Sequence, residues 1–324
     1  MAGPTDDEPQ QRFFTSQRTR LSYWDWGNPL SSTGGDAPPL IFVHGGGDES
    51  RSWDRLARAF RDEFHVLALD VRGHGDSEWN PGSQYAIPDV MLDVVRLAEI
   101  TGQPARIVGH SYGASTCLIA AGTFPERFAG VVAIEGTHTM NPPDLQDEGM
   151  GPAFLRRWAD SARALEAREE RGANVYPSRE AMVERMRERQ PHQPEDWVRH
   201  LVEHGSRPVE DGYAWKFDPW QRHRTSMEIR QHELERFWAN IACPVLLLFA
   251  PPSLRQGRAF QRHDAARYFP NARGVTVEDT GHHIQHEQTA RTIEEMRKFF
   301  AETKDYTPPS MREGAGVTPR VRQS

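Results

Sequence analysis

Short apolar runs recur along the chain, separated by longer stretches whose apolar positions fall at helical spacing. Pro39 to His44 (PLIFVH), Phe64 to Val71 (FHVLALDV), Arg106 to Gly109 (RIVG), Gly130 to Glu135 (GVVAIE) and Pro244 to Ala250 (PVLLLFA) are nearly continuous apolar runs. That is the pattern of strands buried on both faces. Gly274 to Glu278 adds a further strand, and Phe13 to Gln17 with Leu21 to Trp26 read as an opening strand pair. Between these runs, Ser52–Phe64, Asp89–Thr101, Tyr112–Phe124, Arg255–Phe269 and Glu287–Ala301 read as helices. The alternation predicts an α/β fold: a mostly parallel, eight-stranded sheet flanked by helices on both faces.

The alternation breaks once. From Thr137 to about Asn240 the pattern offers helices (Pro152–Arg171, Ser178–Arg189, Pro194–Glu203, Ser226–Asn240) and only one strand-like piece, Tyr213–Phe217. This predicts a helical cap over residues 137–240, inserted after the sixth strand of a core formed by 12–136 and 241–303. Residues 1–11 and 304–324 are polar, rich in Pro or charge and aperiodic, and are expected to be loose tails.

Composition narrows the function classes. The chain has 324 residues and a net charge of −7, so nothing in its electrostatics favours nucleic acid as a partner. No apolar run is long enough to span a membrane, and the acidic start is no secretory leader. Two cysteines, Cys117 and Cys243, make neither a disulfide framework nor a cysteine-rich metal site. A soluble, cytoplasmic protein is the expectation, with oligomeric state undetermined.

Gly109-His110-Ser111-Tyr112-Gly113 matches G-x-S-x-G directly between a short apolar strand and a helix rich in small residues. In that setting the serine sits on a sharp strand-to-helix turn. The turn lifts its hydroxyl into a cleft and sets the Tyr112 N–H at a helix N terminus. His44-Gly45-Gly46-Gly47 follows another strand, and its bare amides suit an oxyanion hole. Gly46 is the expected second donor, Gly47 the alternative, and His44 is expected to brace the loop. A phosphate loop is not indicated, since no Walker or dinucleotide fingerprint follows a strand.

Gly281-His282-His283 follows the last strand. His282 is the preferred base, on the argument that Gly281 frees the loop to turn that ring inward. His286 lies four residues beyond His282, but no third ligand has metal-site spacing, so no metal is expected. The order Ser, acid, His is expected of this architecture. The loop after the penultimate strand has no acid before Asp264, which falls inside a predicted helix. Glu135 ends a buried apolar strand, where a carboxylate needs a partner such as imidazolium. Asp144 and Asp147 are the fallback.

Together PLIFVHGGG, ALDVRGHGDS, VGHSYGAS and DTGHHIQHE resemble the α/β-hydrolase fold family over Phe13 to Ala301, and within it the serine-hydrolase-like, kraken-type group. The resemblance implies Ser111 as nucleophile, Glu135 as acid and His282 as base. It also implies a structural turn carrying Asp70, Arg72, Gly73, Gly75 and Ser77. The acid departs from the commonest arrangement and matches a variant that places it one strand earlier. Ser rather than Asp at 111 argues against dehalogenase and epoxide hydrolase chemistry.

The expected activity is cofactor-free hydrolysis of a small carboxylic ester or lactone through an acyl-enzyme. Thioester, amide or C–C bond hydrolysis with the same triad, cofactor-free oxygen chemistry, or a ligand-binding role with little turnover are the alternatives. Five of the nine tryptophans, Trp158, Trp197, Trp215, Trp220 and Trp238, fall in the cap. Of these Trp158, Trp215 and Trp220, with Gly47, His110 and His283, are candidate pocket residues. The bland expectation for each Trp is that it anchors a cap helix.

Overall fold

The computed structural model describes residues 8–81, 85–137, 172–222, 231–251 and 265–309, with isolated positions 156, 159, 160, 162–164, 166, 167 and 229. Its frame is one eight-stranded sheet. The strands are β1 (Gln10–Ser16), β2 (Thr19–Asp25), β3 (Pro39–Val43), β4 (His65–Leu69), β5 (Ala105–His110), β6 (Phe128–Ile134), β9 (Val245–Phe249) and β10 (Ala272–Thr276). Two more strands, β7 (Ser206–Val209) and β8 (Gly212–Trp215), form a separate antiparallel hairpin.

The sheet order is β1-β2-β4-β3-β5-β6-β9-β10. From β4 to β10 every neighbouring pair is parallel, while β2 pairs antiparallel with both β1 and β4. The expected mostly parallel eight-stranded sheet is therefore present. The continuous apolar runs have their physical reason in two cores. Ile41, Val43, Ile107, Val131, Ala133 and Leu247 face one core. Leu40, Phe42, Val108, Val132, Leu246 and Leu248 face the other. With period 2 and a core on each side, every position must be apolar.

Helices α1 (Asp54–Phe60) and α8 (Thr289–Glu302) cover one face, and α2 (Ile87–Ile100) and α3 (Tyr112–Thr123) the other. A short helix, α7 (Ile284–Glu287), precedes α8. Helix α3 is buried over all but its last residue, so its apolar and small residues surround it rather than forming a stripe. Its packing is tight. A Cβ on Gly122 would lie 2.3 Å from the Phe237 carbonyl oxygen of α6 (Gln231–Ala239).

The insertion leaves the sheet after β6 and returns at β9. Among its described residues are α4 (Arg179–Arg189), α5 (Glu195–Gly205), the β7–β8 hairpin and α6. Strand β8 falls on the strand-like piece expected at Tyr213–Phe217, whereas its partner β7 has no counterpart in the sequence pattern. Most of the predicted helices 152–171 and 255–269 lies outside the described residues. The tail boundaries also need correction. Strand β1 starts at Gln10, inside the segment expected to be loose, because Gln10 and Gln11 pair with Asp25 and Trp24. Glu8 reaches Arg51 and Arg58, and at the other end Tyr306 packs against the core.

Candidate active site

Ser111 caps β5 and opens α3 with φ 51° and ψ −114°. Few non-glycine residues hold positive φ, and such strain persists only where the surroundings enforce it. The enforcement is visible. Ser111 N–H donates to the Ile134 carbonyl at 2.8 Å. On either side, a Cβ on Gly109 would meet Ala114 at 2.6 Å, and one on Gly113 would meet the Val43 carbonyl oxygen at 2.3 Å. Only glycines allow α3 to pass this close to β3 and β5.

Glu135 is the second residue of this region with positive φ, 55°. Its N–H donates to the Leu248 carbonyl at 3.0 Å, which carries the parallel ladder one residue past β6. The side chain is buried. Oε1 accepts from the Ala250 N–H at 2.7 Å, and Oε2 stands 3.4 Å from His282 Nδ1. Ser111 and Glu135 thus directly follow β5 and β6, and His282 lies on the loop after β10, all at the carboxyl edge of one parallel block. Asp144, Asp147 and Asp264 lie outside the described residues.

The histidine loop is held by Glu287, whose Oε2 accepts from Gly281 N–H at 2.7 Å and from Thr280 Oγ1 at 3.2 Å. This corrects the argument for His282. Gly281 has no left-handed backbone, and a Cβ there would make only ordinary contact. The loop is aimed by the Glu287 clamp, not by glycine freedom. His110 reinforces it, with Nε2–H donating to the His282 carbonyl at 2.8 Å. The His283 ring lies 5.0 Å from that of His110 and 5.5 Å from that of His286. His286 also packs edge-on against Trp197, and burial drives its pKa well below the usual imidazole value.

The glycine loop has a matching brace. His44 Nδ1–H donates to the Gly45 carbonyl at 2.8 Å, and its Nε2 accepts from Val71 N–H at 3.0 Å. Burial, then the neighbouring His74, lowers its pKa well below normal, as suits a neutral ring that both donates and accepts. His74 Nε2 accepts the Gly47 N–H at 3.1 Å, which takes that amide out of competition as an oxyanion donor. Gly45 lies against the His110 ring. Gly46 remains, on an exposed turn, while Tyr112 is the first residue of α3, whose opening N–H groups have no acceptor within the helix.

Asp70 and Arg72 are structural. Asp70 accepts from Ser50 N–H at 2.9 Å and Asp76 N–H at 3.1 Å. Arg72 makes a bidentate pair with buried Asp93, both contacts at 2.7 Å.

A cavity of about 290 Å³ opens beside the glycine loop, between it and the insertion. Gly47 and Trp215 line it together with Asp48, Glu49, Arg189 and Phe217. Among the described residues, Trp220, His110 and His283 do not line it, nor do Ser111, Glu135 and His282. Trp158 lies outside the described residues. Trp197 and Trp238 are buried, and Trp238 stacks on Phe269 of the core at 5.2 Å.

The chain as a whole is similar to known proteins. The α/β-hydrolase fold profile matches residues 38–289. The chain belongs to the α/β-hydrolase fold family. As an α/β hydrolase it is 27% identical to the 2-(acetamidomethylene)succinate hydrolase of Mesorhizobium japonicum over 82% of this chain and 89% of that protein. It is 26% identical to an esterase of Mycobacterium tuberculosis over 82% of this chain and 83% of that one. Serine hydrolase-like protein 2 of Homo sapiens is 24% identical over 67% of this chain and 71% of its own, in keeping with the serine-hydrolase-like resemblance. The crystal structure of E-2-(acetamidomethylene)succinate hydrolase superposes with a TM-score of 0.70, at 23% identity, over 90% of this chain and 99% of that one. Among the described residues no helix is long and apolar enough to cross a membrane.

Proposed function

We propose that this α/β hydrolase is a serine hydrolase that cleaves a carboxylic ester or lactone through an acyl-enzyme, with Ser111 as nucleophile, His282 as base and Glu135 as acid. The observation that carries the reading is the Glu135 Oε2 to His282 Nδ1 contact at 3.4 Å, together with the strained backbone of Ser111. With Nδ1 directed to the carboxylate, Nε2 is the nitrogen left to take the Ser111 proton. The N–H groups of Gly46 and Tyr112 would hold the oxyanion. His282 then protonates the leaving group and, in the second half, activates water. The carboxylate keeps the ring in the tautomer this requires and stabilises the imidazolium. The insertion would serve as a cap that shapes the acyl or alcohol pocket, with Trp215 and Gly47 on its wall. The working form is a cytoplasmic enzyme that needs no cofactor.

Amide hydrolysis by the same triad is the second reading, favoured by the acetamido group in the name of one relative's substrate. The test is labelling by a serine-directed fluorophosphonate, followed by a panel of short and long esters, lactones and N-acyl enamides. Labelling that vanishes in Ser111→Ala is expected. Failure to label folded protein, or labelling that survives Ser111→Ala, overturns the triad. Turnover confined to the amides selects the second reading.

A further inference from the structure

Away from the triad, the seam between α5 and the start of α1 gathers three ligating side chains from distant parts of the chain. One ligand atom each from Asp54, His200 and His204 lies within 4.8 Å of the other two. The two histidines stand one turn apart on α5, their ring centroids 4.4 Å apart. Asp54 opens α1 and is buried.

We propose that Asp54, His200 and His204 form a binding site for a single transition-metal ion of the imidazole-preferring kind, Zn²⁺ foremost, that ties the insertion to the hydrolase core. Two imidazoles and a carboxylate suit Zn²⁺, Co²⁺, Ni²⁺ or Cu²⁺, whereas Mg²⁺ and Ca²⁺ favour all-oxygen shells. The spacing fits as well. His200 Nε2 stands 3.4 Å from Asp54 Oδ2. Two ligands each about 2.0–2.1 Å from a tetrahedral ion stand roughly 3.3 Å apart. A fourth position is left for water.

Two features of the seam bear on affinity. His200 Nε2 lies 3.1 Å from the Arg51 carbonyl oxygen, so loading the site moves the ring proton to Nδ1 and frees Nε2, with no net proton released. Arg51 pairs with Asp54 at 2.7 Å, but it also pairs with Glu8, as does Arg58. Glu8 is thus shared by both guanidinium groups, and the charge of Asp54 is engaged by Arg51 before any ion arrives. The competition with Arg51 for Asp54 makes the expected affinity weaker than that of a structural zinc site.

Occupancy would be felt in the insertion. Leu201 and Gly205 of α5 line the cavity beside the glycine loop, so an ion at His200 and His204 fixes one wall of that cavity to the core helix α1. The proposal does not depend on which bond the triad cleaves.

The test uses the full chain, stripped with chelator and dialysed against Zn²⁺ alone or Co²⁺ alone. One equivalent should bind, with a visible Co²⁺ d–d absorption and a higher melting temperature. His200→Gln and His204→Gln, each first shown to be folded by circular dichroism, should weaken binding at least tenfold and remove the absorption. The proposal is overturned if neither metal binds at millimolar concentration. It is overturned equally if binding survives both substitutions, as it would at the histidines around His282, or if Mg²⁺ raises the melting temperature as Zn²⁺ does.

Discussion

Glu135 Oε2 approaches His282 Nδ1 to 3.4 Å while Glu135 Oε1 accepts the Ala250 N–H at 2.7 Å. One carboxylate therefore joins the end of β6, the end of β9 and the histidine loop. Its second oxygen is held by backbone whether or not the imidazole is charged. Glu135→Gln keeps an oxygen for Ala250 and removes the charge. We expect kcat to fall by about 10³–10⁴, with little change in urea midpoint, while Asp144→Asn and Asp147→Asn leave kcat unaltered. Steady-state kinetics on the best ester of the panel decides it. Loss of activity in Asp144→Asn with Glu135→Gln still active would reassign the acid.

The elbow makes a sharper demand on stability. A Cβ on Gly113 would sit 2.3 Å from the Val43 carbonyl oxygen and 2.5 Å from that of His44. Neither backbone atom can rotate away, so Gly113→Ala must push α3 off β3. A loss of about 1–3 kcal/mol is expected, together with most of the activity. Gly281→Ala, whose Cβ would come no closer than 3.5 Å to any neighbour, should unfold with the wild-type midpoint. Equal midpoints for the two variants would contradict the packing account.

Under the proposed mechanism His110 positions His282. Its Nε2–H holds the His282 carbonyl at 2.8 Å, and its ring packs 4.8 Å from that of His282. His110→Phe preserves a ring and removes the donor. A kcat lowered about ten- to a hundredfold at unchanged KM is expected, with fluorophosphonate labelling slowed in proportion. A rise in KM alone would instead make His110 a substrate contact.

The strands were legible because burial on two faces leaves no polar position to blur the pattern, as in β3, β6 and β9, each buried throughout. Ser111 was legible because G-x-S-x-G fell at a strand-to-helix junction. Glu135 stood out because a carboxylate at the end of an all-apolar strand requires an explanation. Of the β7–β8 hairpin only the second strand shows in the sequence, as Tyr213–Phe217, while the first is hidden by composition. Its first strand reads Ser-Arg-Pro-Val, half exposed and containing a proline, with no alternation to detect. The hold of His74 on the Gly47 N–H, the Glu287 clamp on Gly281 and the meeting of Asp54 with His200 are products of tertiary folding. Each depends on which loops meet at one sheet edge or seam, and periodicity carries no trace of that.

Asp48 gives the pH behaviour a testable sign. Its Oδ1 accepts from Glu49 N–H at 2.9 Å, the Ser52 hydroxyl is its side-chain hydrogen-bond partner, and Oδ2 is out of solvent contact. Burial pushes its pKa up to about 7 from an ordinary 3.8. Between those values the folded chain holds a proton that the unfolded chain has released. Its contribution to stability is therefore present at low pH and is lost as pH rises through that window. Asp48→Asn keeps the acceptor and cannot ionise. Its unfolding free energy in urea relative to wild type should climb from pH 5 to about pH 7 and level off above that, by more than about 1 kcal/mol in all. Glu49, raised well above its ordinary value by burial and then by Asp70 and Asp48, loses the Asp48 part of that shift in the variant, which adds to the climb. A difference that stays flat with pH would mean that Asp48 is ionised in the folded chain throughout this range, with its charge offset by solvent or by movement of the glycine loop.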